Sequence, residues 1–202
     1  MKKIIIFLLM ALPFTVMAQN KGDISKYLKG AVTMTNGQVS FSKSFEVPGK
    51  SKTEIFTLLK EYTQKEIVEG KNHLEQCGIT DSDSINGLLA ASVEEYLYFK
   101  RTAFVSHFVR FYYQLIYHIE DGKFNIEMRR LQYLYDDIKN DEIYYAENWI
   151  TDNNALKKNG SQLTRIGGKF RRFTIDRKDD IFRGAAKATG AKIKMKMVEV
   201  EE

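Results

Sequence analysis

Residues 88–135 hold the chain's densest run of aromatic and β-branched side chains, and they flank an Asp121-Gly122 pair. Asp-Gly tolerates the positive φ angles that a two-residue turn demands, so it joins two antiparallel strands. Val105–Glu120 and Lys123–Tyr135 are therefore expected to form a long hairpin. Tyr113, Leu115, Tyr117 and Ile119 line an apolar side of it, and Gln114, Ile116 and His118 the other. Leu88–Ser92 and Glu95–Arg101 read as a shorter hairpin before it. A sheet of this kind must bury one face against something else.

Two helices are expected to do that. Upstream, Asn36-Gly37 marks a turn, and Gln38–Val47 alternates Val39, Phe41 and Phe45 with Ser40, Ser42 and Ser44, as a half-buried strand does. After Pro48-Gly49, Ser51 and Glu54 form a capping box that opens a helix over 52–68, with Ile55, Phe56, Leu58, Leu59 and Tyr62 on its inner side and Gly70 near its end. Residues 72–86 are polar and read as a loop. Residues 136–159 read as a short helix or packed loop, with the indole of Trp149 against the sheet edge. Ser161–Lys169 reads as a loop ending in Gly167-Gly168. Asp176 then caps a helix over 177–189, with Ile181, Phe182, Ala185 and Ala188 buried and Gly190 as its stop. The 193–202 tail adds an edge strand or frays. The fold class is α+β: an antiparallel, curved sheet of about five strands with two main helices on one face.

The first residues carry a different signal. Lys2 and Lys3 precede an apolar stretch from Ile4 to Phe14, and Val16-Met17-Ala18 supplies the small-residue exit before Gln19. That order predicts a secretory signal peptide over 1–18, cleaved between Ala18 and Gln19, and a single domain over 19–202. The apolar stretch is well short of the roughly 20 residues that span a bilayer. No cysteine sits just after the cleavage point, which argues against a lipoprotein. The expected product is exported, periplasmic or secreted, soluble, and without a transmembrane segment. The single cysteine, Cys77, forms no intrachain disulfide; it is either a buried thiol or half of an intermolecular bridge.

Charge is unevenly spread. Residues 120–154 hold nine acids and four bases, whereas 157–197 hold thirteen bases and three acids. Inside a cell such a basic segment suggests nucleic acid. Behind a signal peptide, no nucleic acid partner is expected, and the candidates are an unknown envelope protein or an anionic envelope component. The densest basic signal is Lys169-Phe170-Arg171-Arg172-Phe173-Thr174-Ile175-Asp176, followed by Arg177. Lys169, Arg171, Arg172 and Arg177 could hold an anion at a helix start. The other reading docks Phe170, Phe173 and Ile175 in the core and pairs the arginines with the acidic 120–154 region.

No catalytic set is visible. His73, His107 and His118 lack metal-ligand spacing, so no metal and no cofactor are expected. Asp81-Ser82-Asp83-Ser84-Ile85-Asn86-Gly87 alternates oxygen donors, but an EF-hand needs Gly and Glu where Asn86 and Ser92 stand, so an Asx-rich turn is the better reading. Cys77 and His73 lack an orienting partner. Glu94 and Glu95, adjacent on a strand, point to opposite faces and cannot act together. Asp179 and Asp180 fit the first turn of the 177–189 helix.

Several stretches, in order, resemble a family of exported proteins from Gram-negative anaerobes: Tyr27–Val32, Val47–Phe56, Tyr117–Tyr135, Ala146–Leu156 and Gly168–Phe182. That family is a domain of unknown function with a TATA-binding-protein-like (TBP-like) fold. The resemblance implies a TBP-like unit over about 30–136 with a C-terminal extension over 137–202, and implies no activity or catalytic residue. Leu88–Phe99 departs from the family pattern in lacking a clear glycine break. Two functions stand open: a non-enzymatic envelope binding module, and a hydrolase whose site forms only in three dimensions. Cleavage in a Gram-negative host is expected to leave Gln19 as the mature N-terminus, read by intact mass; a full-length product held at the membrane would overturn this.

Overall fold

The structure, a computed structural model, describes residues 23–102, 106–135 and 142–192. The leader at 1–18 with its Ala18–Gln19 junction, the first residue of the expected Val105–Glu120 strand and the 193–202 tail lie outside them. The strands are β1 (Thr33–Thr35), β2 (Gln38–Glu46), β3 (Gly78–Asp83), β4 (Leu88–Arg101), β5 (Ser106–Glu120), β6 (Lys123–Leu134) and β7 (Ile143–Tyr145). They form one antiparallel sheet in the order β1-β2-β6-β5-β4-β3, with β7 also beside β6. Among the described residues the sheet thus has seven strands, where the sequence suggested about five.

Three short or polar strands, β1, β3 and β7, escaped the sequence reading, and two expected strands merge into β4, because pairing in the assembled sheet is invisible locally. The 72–86 segment is not all loop, because β3 pairs with β4 as an outer strand whose Thr80, Asp81 and Ser82 stay exposed. An edge strand needs no apolar face, so it shows no alternation. Leu88–Arg101 is one continuous strand, not a hairpin. Its midpoint Glu94-Glu95 reads as a break but is carried through the sheet, each carboxylate buried against an arginine: Glu94 with Arg110, Glu95 with Arg177. As expected, the two glutamates face opposite sides.

The capping box forms: Ser51 Oγ accepts from Glu54 N, and Ser51 N donates to Glu54 Oε2 at 2.8 Å. It opens α1 (Lys52–Tyr62), which continues into a π-helical turn over Thr63–Val68. Helices α2 (Ala146–Trp149) and α3 (Asp152–Ala155) follow β7. Trp149 is wedged between β7 and the last helix, with ring centroids 4.7 Å from Tyr144 and 4.8 Å from Phe170. That last helix, α4 (Gly167–Thr189), begins ten residues before the expected 177–189. Asp176 is therefore mid-helix rather than a cap; it accepts from Tyr27 Oη and Lys26 Nζ at 2.7 Å each. Asp179 and Asp180 likewise leave the first turn. Gly167 and Gly168 mark close packing and not a loop. A Cβ on Gly168 would stand 2.5 Å from Leu163 Cβ, and one on Gly167 would stand 2.7 Å from the carbonyl oxygens of Asn154 and Trp149. Gly190 stops the helix at φ 71°. Ala186 is fully buried in place of Ala188, which is half-exposed.

Helices α1 and α4 lie on one face of the sheet. Val39, Phe41 and Phe45 of β2, Phe111 to Ile119 of β5 in alternation, and Phe124, Ile126 and Met128 of β6 meet Ile55, Leu59, Phe170, Ile175, Ile181 and Phe182 there. Polar groups in this layer are paired. Arg177 donates to both oxygens of Glu95 at 2.7 Å each, and Tyr113 Oη donates to Glu95 Oε1 at 2.9 Å. Thr63 Oγ1 donates to Tyr117 Oη at 3.1 Å, and Tyr133 Oη bonds Thr174 Oγ1 at 2.6 Å.

Arg171 is the most deeply enclosed charge in the described chain, with no solvent exposure. Its guanidinium donates to Tyr27 O at 2.6 Å, Leu28 O at 2.6 Å, Ile150 O at 2.8 Å and Asp152 Oδ1 at 2.7 Å. It fastens the N-terminal segment and the α2–α3 corner to α4. Arg171→Met, similar in bulk, leaves those acceptors unpaired and is expected to cost about 3–5 kcal/mol in chemical unfolding. A loss within about 0.5 kcal/mol, the size of an ordinary surface substitution, would contradict this role.

Burial also raises several phenols. Tyr62, whose hydroxyl donates to Ile181 O at 3.0 Å, is pushed from 10.0 up to about 12. Tyr113, Tyr117 and Tyr133 move the same way for the same reason. In each case the fold holds the neutral form, so the stabilisation is complete below the unfolded value of 10 and is lost as pH rises through the folded one. The urea midpoint is expected to hold up to about pH 9.5 and to fall steeply between pH 10 and 12. A flat midpoint across that window would show that these phenols ionise freely.

Candidate functional site

Among the described residues, no helix packs on the second face of the sheet. The strand register lays its side chains out in rows. Ser40, Arg129, Gln114 and Ser92 form one row, Ser42, Glu127, Ile116 and Ala90 the next, and Ser44, Asn125, His118 and Leu88 a third. The serine end is polar and cross-linked: Asn125 Nδ2 donates to Ser42 Oγ and Ser44 Oγ at 3.1 Å each. In the other direction Gln132, Tyr112 and Glu94 form a row, followed by Leu134, Arg110 and Tyr96, and then Phe108 and Tyr98.

Character changes along these rows. Tyr96, Tyr98 and Phe108 make an aromatic patch, with Phe108 centred 4.9 Å from Tyr96 and 5.4 Å from Tyr98. The Arg101 guanidinium lies 4.8 Å over Tyr98, and that of Arg110 lies 5.6 Å from Tyr112. Beside the patch, Arg110 Nε donates to Glu94 Oε1 at 2.7 Å, and Arg110 Nη2 meets the same oxygen. Glu94 is 2% exposed and its Oε2 accepts no hydrogen bond; Arg129 Nε, in the neighbouring row, also lacks a partner. Buried polar atoms without partners are uncommon in native proteins and call for an explanation at the place where they occur.

The residues singled out from the sequence fall elsewhere. Arg171 and Arg177 lie within α4, in internal ion pairs with Asp152 and Glu95. Only the first of these partners belongs to the acidic 120–154 region. Arg172 is exposed, with its guanidinium 5.1 Å over Phe173. Lys169 Nζ sits 2.9 Å from His107 Nδ1 and 4.5 Å over the Phe99 ring, and burial, with Arg172 nearby, pulls its ammonium below the usual lysine range. The structure therefore leaves Lys169 and Arg172 within reach of a ligand, at the end of the helix-covered side, and places no helix N-terminus at the segment's arginines.

His73, His107 and His118 do not converge, and no group of three or more His, Cys, Asp or Glu side chains able to hold a metal occurs among the described residues. Asp83 folds the 81–87 segment into an Asx turn, accepting from Ile85 N and Asn86 N at 3.0 Å. Cys77 is half-buried just before β3: its Sγ donates to Glu94 O at 2.9 Å and accepts from Glu94 N at 3.1 Å. The aromatic patch and the Glu94–Arg110 pair were missed because their residues come from strands read as separate hairpins. Alternation of Glu94, Tyr96 and Tyr98 on one face was the signal that could have found them. No helix among the described residues is long and apolar enough to cross a membrane.

Residues 41–134 match the family model described as a domain of unknown function (DUF4468) with TBP-like fold. Among solved structures, a DUF4468 family protein from Bacteroides ovatus is 34% identical, with a TM-score of 0.76 over 87% of this chain and 99% of that one. A TBP-like protein from Parabacteroides distasonis, at 21% identity, shares the fold with a TM-score of 0.61 over 79% of this chain and 98% of that one. No curated protein matches. The β2–α1–β6 framework and its curved antiparallel sheet are thus those of known relatives, and the chain belongs to the DUF4468 family, whose fold is TBP-like.

Proposed function

We propose that this protein is a non-enzymatic binding module of the cell envelope, exported behind the 1–18 leader, and that the helix-free sheet face holds its partner. One contrast carries the reading. The covered face is closed by α1 and α4 with its polar groups paired, whereas the other face presents Tyr96, Tyr98 and Phe108 with Arg101 and Arg110 at one end and a serine-asparagine belt at the other. Tyrosine and arginine dominate the energetics of protein–protein contacts, because each combines a large apolar area with a polar tip. A protein of the envelope fits this patch better than a lipid head group, which needs clustered cations and no aromatic surface. The likeness to a TBP fold does not bring nucleic acid with it, since folds host many functions and the exported compartment offers little DNA.

The form of this reading that relied on an anionic component rests on Lys169 and Arg172, with Arg171 and Arg177 committed to Asp152 and Glu95. The aromatic face has no such conflict. Site-specific photo-crosslinking in the cells that make the protein separates the two. A benzophenone side chain at Tyr98 is expected to give a discrete adduct, with none from Glu61 on the outer side of α1. Adducts from position 172 and none from position 98 would move the binding surface to the basic end. No adduct from either would remove the binding-module reading.

A further inference from the structure

At its far rim, the helix-free face holds a cleft of about 350 Å³ where the sheet divides. Strand β6 pairs with β2 up to Arg129, opposite Ser40, and from Gln132 onward pairs with β7, opposite Tyr145. Between these partners the chain bulges: Gln114 of β5 faces Arg129 while Tyr112 faces Gln132, so an extra residue is accommodated. Arg130 sits there at φ 54°, in the left-handed region that side chains other than glycine and asparagine rarely adopt. Val39 N, which has left β6, donates to Glu147 Oε1 at 2.7 Å, so that the carboxylate closes the fork from above. The cleft is lined by Gln38, Arg130, Leu131, Gln132, Tyr145 and Glu147.

The chemistry of this lining is specific. Among the described residues, the side chains of Gln38, Arg130, Gln132 and Tyr145 have no hydrogen-bond or ion-pair partner, although they converge on one space. Strain stored at an arginine beside such a space is the kind of feature that persists where it positions a side chain for use. A guanidinium only donates, a carboxylate only accepts, and the two carboxamides and the phenol do both. A simple anion would satisfy Arg130 but face Glu147, and an amine would satisfy Glu147 but face Arg130. A polyol satisfies all of them, because each hydroxyl is donor and acceptor at once. Planar Arg and Gln ends also suit the two-point contact that neighbouring hydroxyls offer. Tyr145, 48% exposed, offers an aromatic face for the C–H side of a ring. The volume lies at the small end of ligand sites, room for one or two sugar rings and no more.

We infer that this cleft is a saccharide site that takes a pyranose ring, with Arg130, Gln38, Gln132 and Glu147 reading its hydroxyls and Tyr145 stacking on it. The site is separate from the aromatic patch at Tyr98 and does not depend on that patch binding a protein.

The test is a ¹⁵N-NMR titration of the mature protein with methyl glycosides of glucose, galactose and N-acetylglucosamine. Acetate and glycine serve as anion and zwitterion controls. At least one glycoside is expected to shift the Gln38, Gln132 and Tyr145 resonances saturably, and the controls are expected not to. Arg130→Gly accepts the φ without strain, so it is expected to fold with an unchanged or higher Tm while binding the glycoside at least tenfold more weakly. Tyr145→Ala, at an exposed site, is expected to weaken binding by a similar factor, and Tyr98→Ala to leave it within twofold. The inference is overturned if no glycoside shifts the cleft, if acetate or glycine shifts it as strongly, or if Arg130→Gly binds as the parent does. Loss of the Tyr98 crosslink with glycoside binding intact would remove the protein-binding reading alone.

Discussion

The architecture depends on how α4 carries buried charge. Arg171 has no exposure at all, yet its donors are met by three carbonyl oxygens and one carboxylate drawn from two distant stretches of chain. A buried guanidinium with an unmet donor is costly, and one partner removed is worse than none present. The arrangement therefore has one satisfactory geometry: Tyr27 and Leu28 on one side, Ile150 and Asp152 on the other, α4 between them. Further along, Arg177 repeats the device against Glu95 and Tyr113 in the sheet. Apolar packing drives the helix onto the sheet, and these two arginines determine its register there.

The same logic explains β4. Two adjacent glutamates in the middle of a strand project to opposite faces, and each finds an arginine: Arg177 from the helix layer, Arg110 from the neighbouring strand. On the covered side the pair locks a helix. On the other side it underlies an aromatic patch with no helix above it, where one oxygen of Glu94 keeps no partner. The two ion pairs are thus separated by the thickness of a single strand, one under a helix and one under an open patch. The cleft around Arg130 lies where the sheet divides: the bulge that lets β6 exchange β2 for β7 also turns an arginine into a shape it would not choose in isolation.

The elements that could be read from the sequence were those whose cause is local. The Asp121-Gly122 hairpin, the β2 alternation, the Ser51/Glu54 capping box and the Gly190 stop need only neighbouring residues to explain them, and each is present. The misreadings have non-local causes. Glycines 167 and 168 read as a loop because their purpose, close approach to Leu163 and to the carbonyls of Trp149 and Asn154, is tertiary. Strand β3 is too polar to announce itself, since only pairing to β4 makes it a strand. The candidate site was less legible than the fold. The arginines prominent in sequence are partly internal, while Tyr96, Tyr98, Phe108 and Arg130 come from three strands and share a face only once those strands are in register.

The sequence by itself determined the composition of the layers: an antiparallel sheet with one apolar face and helices to cover it. Side-chain period and turn chemistry act over a few residues and leave little choice at that level. Only the tertiary structure decided which charges became internal and which stayed at the surface. An arginine is read the same way along the chain whether it ends against Asp152, as Arg171 does, or at the mouth of a cleft, as Arg130 does. What separates them is the set of distant acceptors that folding brings within 3 Å of one and leaves away from the other.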